Sequence, residues 1–103
     1  MIRLSLGALI VVSGCVSDLG NANERASGYY NRPWRWDDIN AHCGVIEQFA
    51  STDDPFIPIS EMHAIRDGLA LAPERYHEHN DRGHWMCGTF PELRDRVVAL
   101  LQP

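Results

Sequence analysis

The chain has 103 residues, a length that fits one domain. With 45% apolar and 22% charged residues, the composition is typical of a folded protein and argues against wholesale disorder. The formal net charge is −5, and the sequence contains no run of basic residues. Because binding to a phosphate backbone needs clustered Lys or Arg, the sequence predicts no nucleic-acid partner.

The N-terminus predicts an export signal. Arg3 precedes an apolar stretch that runs from Leu4 to Val12, which is the pattern of a signal peptide. The stretch is too short to cross a hydrocarbon core of about 30 Å, a distance that takes roughly 20 helical residues. We therefore expect residues 1–14 to be removed as a signal peptide and not to remain as a membrane span.

The end of this segment resembles a known class of signal. The run Val12-Ser13-Gly14-Cys15 is similar to the lipobox of bacterial lipoproteins, in which a branched aliphatic residue and two small residues precede an obligatory Cys. The resemblance covers residues 1–15 and implies cleavage before Cys15 and acylation of that residue. The acyl chains, palmitate among them, would anchor the protein in the lipid bilayer, facing the periplasm. Val16, where an Asp would imply inner-membrane retention, favours the outer membrane.

The mature chain is predicted to contain a tether and a small helical domain. Residues 15–31 comprise the lipidated Cys and a segment rich in Ser, Gly, Asn and Ala, which predicts a flexible tether. Residues 32–103 are expected to fold as a mainly α-helical domain, a small disulfide-stapled bundle of three to four short helices. Apolar residues at helical spacing predict helices over residues 37–50 and 60–71. A capping box from Thr89 to Glu92 predicts the start of the last helix.

Two cysteines remain after Cys15 is assigned to the anchor. Cys43 and Cys87 would lie in an oxidising compartment, where paired thiols usually form disulfides. Closing a loop of this length would stabilise a small domain by about 4 kcal/mol. The sequence therefore predicts a Cys43–Cys87 disulfide, with metal ligation through Cys87 or a reactive thiol as alternatives.

A histidine-rich segment predicts either a metal site or a solvated turn. His77, His79 and His84 are imidazoles that could converge on Zn²⁺ or Cu²⁺. Against this interpretation, they flank a polar stretch in which His, Asn and Asp are common. We expect no cofactor, with Zn or Cu as the alternative.

An aromatic segment lies where the predicted tether meets the domain. Tyr29, Tyr30, Trp34 and Arg35 are residue types that dominate recognition surfaces, and they are the candidate partner-binding residues. The partner would be an envelope protein or peptidoglycan, and contact with lipid headgroups is a further alternative. The competing interpretation is that Trp34 and Trp36 cover one end of the core.

No enzyme signature is recognisable in the sequence. There is no nucleophile elbow, phosphate loop or metalloprotease helix, and the pairs Asp37-Asp38 and Asp53-Asp54 are interpreted as helix-flanking turns. The sequence therefore predicts a non-catalytic, lipid-anchored accessory or binding protein of the bacterial cell envelope. The alternatives are a periplasmic metal-binding lipoprotein that uses the His77–His84 segment, and an inhibitor or immunity lipoprotein.

Overall fold

A computed structural model of the chain describes residues 6–28, 30–85 and 89–101. Three strands form one parallel sheet in the order β1-β2-β3, so β1 and β3 are its edge strands among the described residues. The strands are β1 (Leu6–Val12), β2 (Cys43–Ser51) and β3 (Tyr76–His79). The helices are α1 (Ala22–Ala26), α2 (Trp36–His42), α3 (Ile59–Gly68) and α4 (Pro91–Leu100), and a 3-10 turn spans Pro73–Arg75.

Helices cover both faces of the central strand β2. On one face, Ile46 packs with Ile65 of α3 and with Leu69 in a buried cluster. On the other face, the Phe49 ring lies 5.2 Å from the ring of Phe90, the residue that precedes α4. Because successive side chains of a strand point to opposite faces, α3 and α4 lie on opposite sides of the sheet. The domain is therefore an α/β fold with a parallel sheet between helical layers.

The predicted mainly α-helical bundle is wrong, and β2 is the main reason. The helix expected over residues 37–50 ends at His42, and Cys43–Ser51 is a strand. A central parallel strand is buried on both faces and lacks the alternating pattern that identifies a strand in sequence. Two buried polar residues, Glu47 and Gln48, broke the apolar run, so the remaining apolar residues matched a helical spacing.

Two other predicted helices are present, with different ends. The helix expected over residues 60–71 is α3, and the last predicted helix is α4. The N-cap of α4 is Phe90 and not Thr89, and this cap makes no side-chain hydrogen bond. Glu92, expected to complete a capping box, instead binds the guanidinium of Arg82.

The predicted disulfide staple is also corrected. Cys43 begins β2 and carries a free thiol. Cys87 lies outside the described residues. The fold is held instead by the sheet and by the packing of helices on it.

The segment expected to be the apolar core of an export signal is β1. It pairs with β2 from Leu6 beside Cys43 to Val12 beside Phe49. Such a strand and a signal peptide share the same property, a short unbroken apolar run. Cys15, the expected lipidation site, is half-buried against a core cluster, and its Sγ lies 3.4 Å from the Tyr30 hydroxyl. Helices in the described ranges are all too short or too polar to span a bilayer.

The interval expected to be a tether contains α1 and contacts the rest of the domain. The backbone N–H of Ser17 donates to Glu61 of α3 over 3.1 Å, and the Ser17 hydroxyl binds the same carboxylate. Arg25 of α1 pairs with Asp18 over 3.1 Å. The Ser17 contacts bind the segment between β1 and α2 to α3, and the Arg25–Asp18 pair lies within that segment.

A buried carboxylate links the sheet to α4. The Glu47 side chain is fully buried, and Arg96 of α4 donates Nε to its two oxygens over 2.8 and 2.9 Å. Arg75 and His77 add contacts of 3.0 and 3.1 Å. Burial raises the pKa of Glu47, but the hydrogen bonds from Arg96, His77 and Arg75 outweigh it and hold that pKa below its usual value.

We expect Glu47→Gln to lower the free energy of unfolding by about 1.5–3 kcal/mol, because it removes the buried charge to which the partly exposed Arg75 and Arg96 side chains donate. Urea unfolding at neutral pH measures the loss, and Glu74→Gln, at an exposed acidic residue, is the control with little change. Since the folded pKa is the lower one, the wild type loses this contribution as pH falls below the unfolded value of about 4.3. The variant should show a smaller loss over that range, and equal stability of both variants at neutral pH would contradict the prediction.

Gly68 at the end of α3 makes room for an aromatic ring. A Cβ at this position would overlap the indole of Trp36, which begins α2. Trp36 is half-buried and packs against the core cluster of Ile46, Ile65 and Leu69. The glycine therefore permits the close approach of α2 to α3.

Gly68→Ala should lower the free energy of unfolding by about 1–3 kcal/mol through overpacking. Helix propensity alone would favour the alanine by up to about 1 kcal/mol, so the sign of the effect separates the two causes. Gly7→Ala is the control, since a Cβ there meets nothing within 4 Å. A raised melting temperature for Gly68→Ala would show that Trp36 does not occupy this space.

Candidate active site

The loops that follow β2 and β3 meet at one edge of the sheet. Ser51, the last residue of β2, is paired with His79, the last residue of β3. The N–H of Thr52 then donates to the carbonyl of His79 over 2.8 Å. Parallel strands end at the same edge, where α/β folds place their functional groups.

Asp54 lies in the loop after β2 and is held from two sides. Its Oδ1 accepts hydrogen bonds from the backbone N–H groups of Phe56 and Ile57, over 2.8 and 3.0 Å. Its Oδ2 lies 2.8 Å from Nδ1 of His84, in the loop after β3. The Asp54 side chain is fully buried, whereas a third of the His84 side chain is exposed. Both carboxylate oxygens are thus engaged, and one of them is aimed at an imidazole.

The surroundings keep Asp54 ionised. Burial raises the pKa of this carboxyl, but the hydrogen bonds from His84, Ile57 and Phe56 outweigh burial and hold the pKa below its ordinary value. An ionised carboxylate only accepts hydrogen bonds, so Nδ1 of His84 is the nitrogen that carries the proton. In the neutral imidazole, the lone pair is then on Nε2.

The second nitrogen of His84 is available for chemistry. No described residue forms a hydrogen bond with its Nε2, and the ring packs edge-on against Phe56 with centroids 5.3 Å apart. An imidazole that is oriented by a buried carboxylate through Nδ1 and free at Nε2 is the arrangement of a general base in nucleophilic hydrolysis. This pair of side chains, Asp54 and His84, can therefore activate a hydroxyl or water placed at Nε2.

The described serines at this edge of the sheet do not complete a triad. Ser51 is fully buried and donates its hydroxyl to Asp53 over 2.6 Å. Ser13 follows β1 with a positive φ of 53°, but its buried Oγ has no hydrogen-bond partner among the described residues and is not bonded to His84. The described residues thus supply an acid and a base without a bonded nucleophile.

The three histidines predicted to bind a metal have separate partners. His77 donates to the ionised Glu47 carboxylate and stacks on Phe49 at 4.6 Å, while His79 meets the ring of Trp85 edge-on at 5.0 Å. His84 is bound to Asp54. Within the described ranges, no group of three or more His, Cys, Asp or Glu side chains is arranged to hold a metal ion.

The aromatic segment predicted to bind a partner forms a stack beside α2. The rings of Tyr30 and Trp34 lie 6.5 Å apart, and those of Trp34 and Trp36 lie 5.4 Å apart. Arg35 is largely exposed and pairs with Asp38 over 2.7 Å. Tyr29 lies outside the described residues. The role of these residues in binding a partner stays a prediction.

Sequence reasoning missed the roles of Asp54 and His84. The sequence predicts a helix-flanking turn at Asp53-Asp54 and offers His84 only as a metal ligand. The usable signal was an Asp and a His that each follow a strand, but it required β2 to be identified as a strand first. Once β2 and β3 are known to be parallel neighbours, the two loops must meet.

Comparison with known proteins gives a strong sequence relationship. The chain is 48% identical over 96 residues to "Serine hydrolase RBBP9" of Rattus norvegicus, a match that covers 93% of this chain and 50% of that protein. This chain therefore spans about half the length of the relative. No family model matches the chain.

A solved structure shares the fold. The ydeN gene product from B. subtilis superposes with a TM-score of 0.80 over 97% of this chain and 54% of its own, at 20% sequence identity. At this level of identity the likeness concerns the fold alone, and it agrees with the α/β architecture that replaces the predicted helical bundle.

These relationships correct the functional predictions. The interpretation as a non-catalytic binding protein is wrong, because the chain is similar to a serine hydrolase and contains an acid–base pair. The two alternatives, a metal-binding lipoprotein and an inhibitor or immunity lipoprotein, are wrong for the same reason. The lipoprotein interpretation, with its periplasm-facing anchor at the outer membrane, is also wrong. The match leaves at most seven residues of the chain uncovered, so it includes part of the expected signal, which is β1 of the shared fold.

Proposed function

We propose that this chain supplies the acid and the base of a serine hydrolase active site. The observation that carries the proposal is the 2.8 Å contact between the buried, ionised Asp54 and Nδ1 of His84, with Nε2 left unbonded by the described residues. The similarity to a protein named as a serine hydrolase supports the same chemistry.

The roles of the two residues follow from their protonation. As a serine oxygen attacks the carbonyl carbon of an ester or amide, its proton passes to Nε2 of His84. Asp54 orients the ring and stabilises the imidazolium that forms, without taking the proton itself. His84 then returns the proton to the leaving group, and the resulting acyl-enzyme is hydrolysed when His84 activates water in the same way.

The serine nucleophile comes, in this proposal, from a segment outside the described residues. The described serines are not bonded to His84, and about half of the relative's length has no counterpart in this chain. In enzymes of the α/β type with this chemistry, the order along the chain is Ser, then Asp or Glu, then His. Asp54 precedes His84, so the order of these two residues is consistent with a nucleophile that comes earlier.

The test measures hydrolysis of p-nitrophenyl acetate by the intact protein in which this chain occurs. We expect Asp54→Asn to lower kcat by about 10⁴-fold and His84→Ala to lower it at least as much. Asp81→Asn is the matched control, since Asp81 is an exposed acid three residues before His84. Its kcat should stay within about twofold of the wild type.

A fluorophosphonate probe tests the nucleophile independently. We expect the probe to label one serine in the wild type and the Asp81→Asn control, and to label it far more slowly in His84→Ala. Peptide mapping identifies the labelled residue. Wild-type hydrolysis that is unaffected by both Asp54→Asn and His84→Ala would overturn the proposal.

A further inference from the structure

The loop that carries His84 is fixed by a second acidic residue beside Asp54. Oδ1 of Asp53 accepts hydrogen bonds from the N–H of Gly83, over 2.8 Å, and from the hydroxyl of Ser51, over 2.6 Å. The Ser51 oxygen in turn accepts the N–H of Arg82 over 3.1 Å. The two backbone N–H groups that directly precede His84 are thus both bound, one by the last residue of β2 and the other by the loop that follows it.

The backbone on either side of His84 explains why such fixing is needed. Gly83 has a φ of +59° and Trp85 a φ of +55°, so the chain turns sharply on both sides of the histidine. The left-handed conformation is easy for Gly83 but unfavourable for Trp85, and the surrounding contacts must hold it. Without them, the loop would relax and carry the imidazole away from Asp54.

We infer that Asp53 is a positioning residue that sets the distance between His84 and Asp54. The two adjacent carboxylates bind different parts of the same loop: Asp54 binds the ring of His84, and Asp53 binds the backbone before it. The Ser51 hydroxyl bond and the Gly83 N–H lower the pKa of Asp53, which stays ionised at neutral pH. This inference rests on the proposed function for its catalytic meaning, but its geometry can be tested without turnover.

The first measurement is the proton resonance of His84 Nδ1–H, which lies far downfield when the proton is held against a carboxylate. In the wild type, we expect this resonance to be present and to disappear in Asp54→Asn. Asp53→Ala should move it upfield or broaden it beyond detection while the melting curve stays cooperative. Asp53→Asn should restore it, because the amide oxygen can accept the same two hydrogen bonds.

Two further variants make the measurement specific. Ser51→Ala removes the acceptor for Arg82 N–H and should also move the resonance upfield or broaden it. This variant provides the test if Asp53→Ala does not fold. Asp81→Asn, in the same loop but with an exposed side chain, should leave the resonance unchanged. In the intact protein, Asp53→Ala should lower kcat about 10²-fold with little change in KM, since a displacement of about 1 Å at the base costs this much.

The outcomes separate this inference from the proposed function. A folded Asp53→Ala variant that keeps the downfield resonance would overturn the positioning role, and so would failure of Asp53→Asn to restore it. If the resonance responds as expected but no variant changes hydrolysis, the positioning role stands and the hydrolase proposal fails. If Asp54→Asn and His84→Ala abolish hydrolysis while Asp53→Ala leaves resonance and kcat intact, only the positioning role fails.

Discussion

The parallel pairing of β2 with β3 is the constraint on which the candidate site depends. Because Ser51 pairs with His79, the chain leaves both strands at the same edge and nearly the same height. A shift of the register by two residues would move His84 relative to Asp54 by about 6.6 Å, more than twice the length of their hydrogen bond. The register of the sheet therefore sets how close the loop of Asp54 lies to the loop of His84.

Glu47 in β2 and Asp54 in the loop after it are both buried carboxylates, but their neighbours differ and so do their functions. Glu47 faces two guanidinium groups and an imidazole, so its charge is neutralised within the fold and serves to bind α4. Asp54 faces two backbone N–H groups and a single imidazole, whose far nitrogen is unbonded among the described residues. The oxygens of Glu47 are therefore bonded to side chains within the fold. The Asp54–His84 pair, in contrast, leaves Nε2 of His84 as a proton acceptor for a reactant.

The sequence was sufficient for the amphipathic helices but not for the sheet. α3 and α4 have a polar and an apolar side, which a period of 3.6 residues reveals without knowledge of the neighbours. β1 and β2 depend on each other for burial, so their residues carry no periodic signal of their own. The apolar run of β1 matched an export signal, and the paired Glu47 and Gln48 made β2 look like a helix with a polar side. The site was missed for the same reason, because Asp54 and His84 are 30 residues apart and only the sheet brings them together.

The position of β1 at the edge of the sheet has a consequence for the behaviour of the chain in solution. Leu6–Val12 contains no charged residue, and within the described part of the chain its backbone pairs with β2 on one side only. The opposite side presents a row of N–H and C=O groups next to exposed apolar residues such as Leu6. Natural edge strands usually avoid such a surface with lysines, prolines or bulges, none of which interrupts β1. This backbone row therefore favours edge-to-edge association between copies of the 103-residue chain at high concentration.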